Sequence, residues 1–172
     1  MVLASKSCGS NMVLKLTIEP IPARNWGISL AHVLPKEVWD VVRREVYNKS
    51  NRECEICKCR TRRLHCHEEW TYNERKKIQK LARLRCLCEY CHDVKHWGKS
   101  VVEVHEGKKP QDYLQILEKH FCTVNECSMD FALSYRVTMG DLAQYRSTKK
   151  YKIDFGVYEP GVIIQIWSKE RK

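Results

Sequence analysis

Two Cys-x-x-Cys pairs, Cys54-Glu55-Ile56-Cys57 and Cys88-Glu89-Tyr90-Cys91, constrain this chain more than any other feature. Two thiolates separated by two residues can be offered to one ion by a single tight turn, and two such turns complete a tetrahedral four-sulfur site. Cys54, Cys57, Cys88 and Cys91 are therefore predicted to hold a structural zinc ion. The stretch between the pairs exceeds the loop of a minimal zinc ribbon, so the clamp must close around an inserted element. Cys59 and Cys86, each two residues from a clamp cysteine, read as ordinary buried thiols, with alternative ligation as the rival reading.

Ten cysteines would suit disulfides in an oxidising compartment. The opening MVLASKSCGSNMVLKLTIEP, however, has no sustained apolar segment followed by a cleavage site, which favours thiolate ligands in a reducing cytoplasm. No apolar run approaches the length of a bilayer span, so no membrane partner is expected. A chain of 172 residues is within the range of one compact unit. Its 31 Lys plus Arg against 21 Asp plus Glu give a formal charge of +10, a field able to draw in polyanions. The oligomeric state is not legible.

The expected class is α+β. Val13 to Ile18 alternates as a strand should and is closed by Pro20-Ile21-Pro22. Val38, Trp39, Val42 and Val46 predict an amphipathic helix over Lys36 to Tyr47, opened by Pro35 and broken by Lys49-Ser50-Asn51. Arg62 to Glu68 and Ile78 to Cys88 could pair as two strands, followed by a short helix over Glu89 to Trp97 ending at Gly98. Tyr113, Leu114, Leu117 and Phe121 mark another helix, and Phe131 to Tyr145 a further one. The tail predicts a hairpin, Lys152 to Phe155 and Val162 to Ile166 flanking Glu159-Pro160-Gly161. The implied divisions are 1–50, an N-terminal strand and helix; 51–99, the zinc-braced core; and 100–172, a helical and hairpin extension.

Histidines concentrate inside the clamp. Leu64-His65-Cys66-His67-Glu68 sets potential ligands and a potential general base side by side on a strand. His92-Asp93-Val94-Lys95-His96 sets two imidazoles at i and i+4, on one helical face, where they could bind a cation jointly. The clamp would then be scaffold for a second ion.

The strings LHCHEEW and LCEYCHDVKHWG resemble the HNH endonucleases of the ββα-metal type, whose members often carry Cys-x-x-Cys pairs on each side of the motif. The resemblance spans Cys54 to Gly98 and implies a central ββα-metal core braced by the four-cysteine zinc site. By position it makes His67 the general base, Cys66 the adjoining ligand, and His92 and His96 the helix ligands of a catalytic divalent cation such as Mg2+, Mn2+, Ni2+ or Zn2+. Cys66 stands where the family usually has Asp or His. His65 is the rival ligand, because it shares the strand face of His67 and Cys66 would point away unless the strand bulges. Asn73 is the nearby candidate for the family's middle Asn, and Glu68 or Glu69 could orient His67.

The implied activity is DNA phosphodiester hydrolysis, with His67 activating water and one cation stabilising the phosphate and leaving oxygen. Arg62, Arg63, Arg75, Lys76, Lys77 and Lys80 are candidate contacts to flanking phosphates. Trp70 reads as core. The alternative is a non-catalytic zinc-ribbon module that binds nucleic acid or protein on the same scaffold.

Overall fold

In the computed structural model, which describes residues 13–159, Leu64–Asn73 (β1) and Ile78–Cys88 (β2) pair antiparallel. Asn73 is the last residue of β1, where its Oδ1 accepts a hydrogen bond from Lys76 N of the connecting turn at 2.8 Å, and Lys77 closes the turn at φ +53°. Asn73 is thus committed to the hairpin end and does not orient a histidine.

One irregularity decides which side chains face which way. Glu69 is opposite Arg83 but Trp70 is opposite Leu81, so Ala82 is an extra residue in β2. Leu81 and Leu84, three apart, consequently share a face that strict alternation would have denied them. Because the extra residue is in β2, the alternation of β1 continues unbroken. His65, His67 and Glu69 take one face; Cys66, Glu68 and Trp70 take the other.

Each face has its own core. On the Trp70 side, the helices Leu30–Val33 (α1) and Lys36–Lys49 (α2) bring Leu30, Leu34 and Val38 against Trp70, Leu81, Leu84 and Phe155, with Trp39, Val42 and Val46 of the expected stripe packed alongside. Trp70 meets the Phe155 ring edge to face, centroids 5.8 Å apart, so it is core as the sequence indicated. Pro35 immediately precedes α2. On the other side, Glu89–Lys95 (α3) follows directly from β2, and Trp97–His105 (α4), Tyr113–Asn125 (α5) and Met129–Ser147 (α6) complete a helical layer. Leu16, Leu87, Cys91, Val94, Trp97, Leu117 and Phe121 form its centre. No helix among the described residues is long and apolar enough to cross a membrane.

Two expectations are corrected, and a third is described only in part. The helix after the second cysteine pair does not end at Gly98: the chain leaves helical geometry at His96 (φ −96°, ψ 43°) and resumes as α4. Gly98 serves packing instead, since a Cβ there would meet Trp26 Cζ2 at 3.1 Å. Residues 13–18 form no strand. The Asn125 side chain substitutes for a partner strand, accepting from Lys15 N (2.9 Å) and Leu16 N (3.0 Å) and donating to Leu16 O (2.9 Å). In the tail, Lys152–Asp154 (β3) is a strand, but it runs parallel to β2 in the sheet order β1-β2-β3. The second half of the expected hairpin lies outside the described residues.

Candidate metal centres

The knuckle before β1 is built by backbone constraints. Lys58, at φ +62°, donates its N–H to Cys54 O (2.9 Å), while Cys54 N donates to Cys59 O (3.0 Å). The second knuckle caps α3: Cys88 Sγ accepts from Cys91 N at 3.5 Å. Glu55 ties the two together, its N–H donating to Cys86 O (2.9 Å) and its Oε1 accepting from Cys86 N (2.8 Å). The result is that the sulfurs of Cys54, Cys57, Cys88 and Cys91 lie within 4.8 Å of one another, a group able to hold a metal ion such as zinc. Cys57 Sγ and Cys88 Sγ are 3.6 Å apart, too far for a disulfide and close to the edge of about 3.8 Å for sulfurs about 2.3 Å from a tetrahedral zinc. Hydrogen bonds from Cys88 and Cys91 hold the Cys54 thiol well below its ordinary value, and the same bonds with burial push those two donors up. A divalent cation would replace the protons that the crowded sulfurs share. His120 of α5, which sequence reading passed over, places Nε2 3.1 Å from Cys91 Sγ. Cys86 is buried as expected, whereas Cys59 is exposed, its thiol at the edge of the cluster against Cys57 and Cys88.

The second group comprises His67 of β1, His92 of α3 and His96 at the α3–α4 junction, with one ring nitrogen each within 4.8 Å of the others. His67 Nδ1 is 3.1 Å from His96 Nε2. That separation matches the roughly 3.0–3.4 Å between imidazole nitrogens about 2.1 Å from one cation, so the residues fit such an ion. Burial, with His92 and Lys95 alongside, holds His67 well below its ordinary value; burial, with His67 and His92 alongside, does the same for His96. Both rings are neutral and carry a lone pair at physiological pH.

Cys66 is outside this group. The unbroken alternation of β1 turns its thiol toward the α2 core, where burial pushes it up to about 12, a poor ligand by position and by protonation. The place in the histidine group that the sequence offered to Cys66 is taken by His67. His65 lies beside the group, its ring stacked on His92 with centroids 4.4 Å apart, and burial next to His92 lowers its affinity for a proton.

Neither Glu68 nor Glu69 touches His67. Glu69 is pushed down to about 2, its partial burial outweighed by Arg83, Lys95 and Arg85, and it accepts from all three. The carboxylate on His67 is instead Glu19, whose Oε1 is 3.0 Å from Nε2. Burial pushes the Glu19 carboxyl up, against the opposing charge of Lys95. A largely apolar cleft of about 660 Å³, walled by Ile18, Trp26, Trp97, Val102 and Met139, opens onto His67, His92 and His96.

Glu68 faces the other core and accepts from Leu30 N at 2.7 Å, yet burial pushes its carboxyl up to about 7 from an ordinary 4.5. An acid raised in the fold contributes stability that is fully present below its unfolded value and lost as pH rises through about 7. Glu68→Gln, which keeps the acceptor, is expected to stabilise the chain at pH 8 by roughly 2–3 kcal/mol, the advantage shrinking toward pH 5. Urea unfolding at both pH values checks this, and a pH-independent difference would contradict it.

Of the basic candidates, Arg62 and Arg63 are exposed just before β1, with Arg63 3.6 Å from Glu89. Arg75, Lys76 and Lys77 occupy the opposite end of the hairpin, about 30 Å away along ten residues of strand, with Lys80 nearby on β2. They form two patches, not one. Comparison with family models, curated proteins and solved structures finds no match to this chain.

Proposed function

We propose that this chain is a metal-dependent endonuclease that hydrolyses DNA phosphodiester bonds on an HNH-like, ββα-metal plan. The observation that carries the reading is the convergence of His67, His92 and His96 from a strand hairpin and its following helix, beside a four-cysteine group that fixes the start of that helix. A divalent cation held by these imidazoles would neutralise charge on the scissile phosphate and the departing 3′ oxygen. Three nitrogen donors suit zinc or nickel better than manganese or magnesium.

The chain's residues supply the remainder. Asp93 engages His92 Nδ1 (3.2 Å) through Oδ1, which leaves Nε2 as the nitrogen to present. His67 has both nitrogens engaged, one by Glu19 and one at His96, so it fits the ligand role and not that of free base. The proton acceptor for the attacking water is then His65, partly exposed, adjacent to the group through its stack on His92, and outside the ligand set. Arg62 and Arg63 precede it by a few residues and would hold the flanking phosphates; Arg75, Lys76, Lys77 and Lys80 would contact a more distant stretch of backbone.

The test is cleavage of supercoiled plasmid with manganese, nickel, zinc or magnesium, and with chelator. His65→Ala is expected to retain both ions and lose about 100-fold or more in cleavage rate. Wild-type protein that cuts with none of these cations would overturn the reading in favour of the non-catalytic zinc-ribbon module. His65→Ala protein that cuts as fast as wild type would remove the assignment of the base.

A further inference from the structure

Glu19 reaches the histidine group from a segment 48 residues before His67, and nothing in the local motif anticipates it. His67 is 1% exposed, so its ring can exchange hydrogen bonds with protein groups alone. Its Nε2 lies 3.0 Å from Glu19 Oε1, and its Nδ1 lies 3.1 Å from His96 Nε2. Lys95 Nζ donates to the same Oε1 at 3.3 Å, which marks that oxygen as the acceptor, so Nε2 carries the proton and the lone pair of the neutral ring lies on Nδ1, the nitrogen facing His96. We propose that Glu19 is the positioning residue of the histidine group, fixing His67 in the Nε2–H tautomer so that Nδ1 serves as a cation ligand. The inference rests on the metal site proposed above.

The way Glu19 is held supports this role. Its backbone N–H donates to Lys95 O (3.0 Å), which pins the segment to the end of α3 between the two helix histidines. Lys95, 2% exposed, turns its Nζ back to Glu19 Oε1 (3.3 Å), Thr17 Oγ1 (2.9 Å) and Glu69 Oε1 (3.3 Å). One residue of α3 therefore clamps both the main chain and the carboxylate of Glu19. The segment that delivers the acid is thereby registered against the helix that delivers two of the three rings. His92 is served in the same manner by Asp93, whose Oδ2 is in turn held by Tyr113 Oη at 2.7 Å. Two rings, each with one nitrogen occupied by a carboxylate, present their other nitrogens toward one point. Glu19 Oε2 is enclosed without a hydrogen-bond partner, a cost that packing alone does not explain.

The decisive experiment compares wild type, Glu19→Ala and Glu19→Gln by ¹⁵N imidazole NMR at pH 8 and by cobalt titration of protein that carries a single zinc, at the four cysteines, with the histidines free. Wild type is expected to show His67 as a fixed Nε2–H tautomer. Glu19→Ala is expected to lose that fixed tautomer and to bind cobalt at the histidines about 10–100-fold more weakly, with the four-cysteine ion retained. Glu19→Gln keeps a carbonyl acceptor and the fold's packing, so it should preserve the tautomer and most of the affinity. An unchanged tautomer and unchanged cobalt affinity in Glu19→Ala would reduce Glu19 to an ordinary buried acid and overturn the proposal. Wild-type protein that takes up no cobalt at the histidines would overturn the metal site, while the tautomer spectra still decide whether Glu19 orients His67.

Discussion

Cys91→Ala is expected to abolish cooperative folding of this chain, as will removal of metal by a strong chelator. Cys91 and Cys54 are fully enclosed, and the group they form joins the knuckle before β1 to the first turn of α3. Binding of structural zinc by such sites is worth about 10–16 kcal/mol, as much as or more than the roughly 5–15 kcal/mol that stabilises a whole domain. Losing one ligand also leaves the remaining sulfurs enclosed without the charge that suits them. Circular dichroism melts and metal analysis read the result. Cys59→Ala, at an exposed thiol outside the group, is the matched control and should melt like wild type. A cooperative melt of Cys91→Ala within a few degrees of wild type would show that the four sulfurs brace nothing.

His96→Ala separates chemistry from folding. His96 lies at the junction where α3 gives way to α4, and its Nε2 is the nitrogen nearest His67. Its removal leaves the four cysteines untouched and takes one of three donors from the histidine group. Cleavage of plasmid DNA is expected to fall about 1000-fold, equivalent to about 4 kcal/mol of lost transition-state stabilisation, with the melt little changed. Cleavage reduced by less than about threefold would show that the histidine group is not the reacting centre.

What the sequence made legible is what short spacing encodes. A Cys-x-x-Cys pair determines a single turn and an i, i+4 pair determines a helical face, so the string alone groups Cys54, Cys57, Cys88 and Cys91, and separately pairs His92 with His96. The β1–β2 hairpin and the helices α2, α5 and α6 are equally readable from periodicity, with β1 extending to Asn73 beyond its expected end, whereas α1 and α4 are not. Strand facing was harder: Cys66 and His67 are neighbours, and only the location of the bulge, in β2 at Ala82 and not in β1, decides which of them meets the helix. Long-range partners were not readable at all. Glu19 and Lys95 are an acid and a base with no local pattern, and they become informative only once the fold buries them side by side. The N-terminal segment was misread for a related reason, since an amide side chain on α5 satisfies the backbone that the alternating pattern assigned to a strand.

The function proposed above requires each of two separate groups to hold an ion, one structural at the cysteines and one at the histidines. Metal analysis of purified protein after equilibration with zinc, on wild type and His96→Ala side by side, tests it most directly. Two ions per wild-type chain are expected, one of them lost in His96→Ala and exchangeable for nickel. A single tightly held ion in both proteins would contradict it.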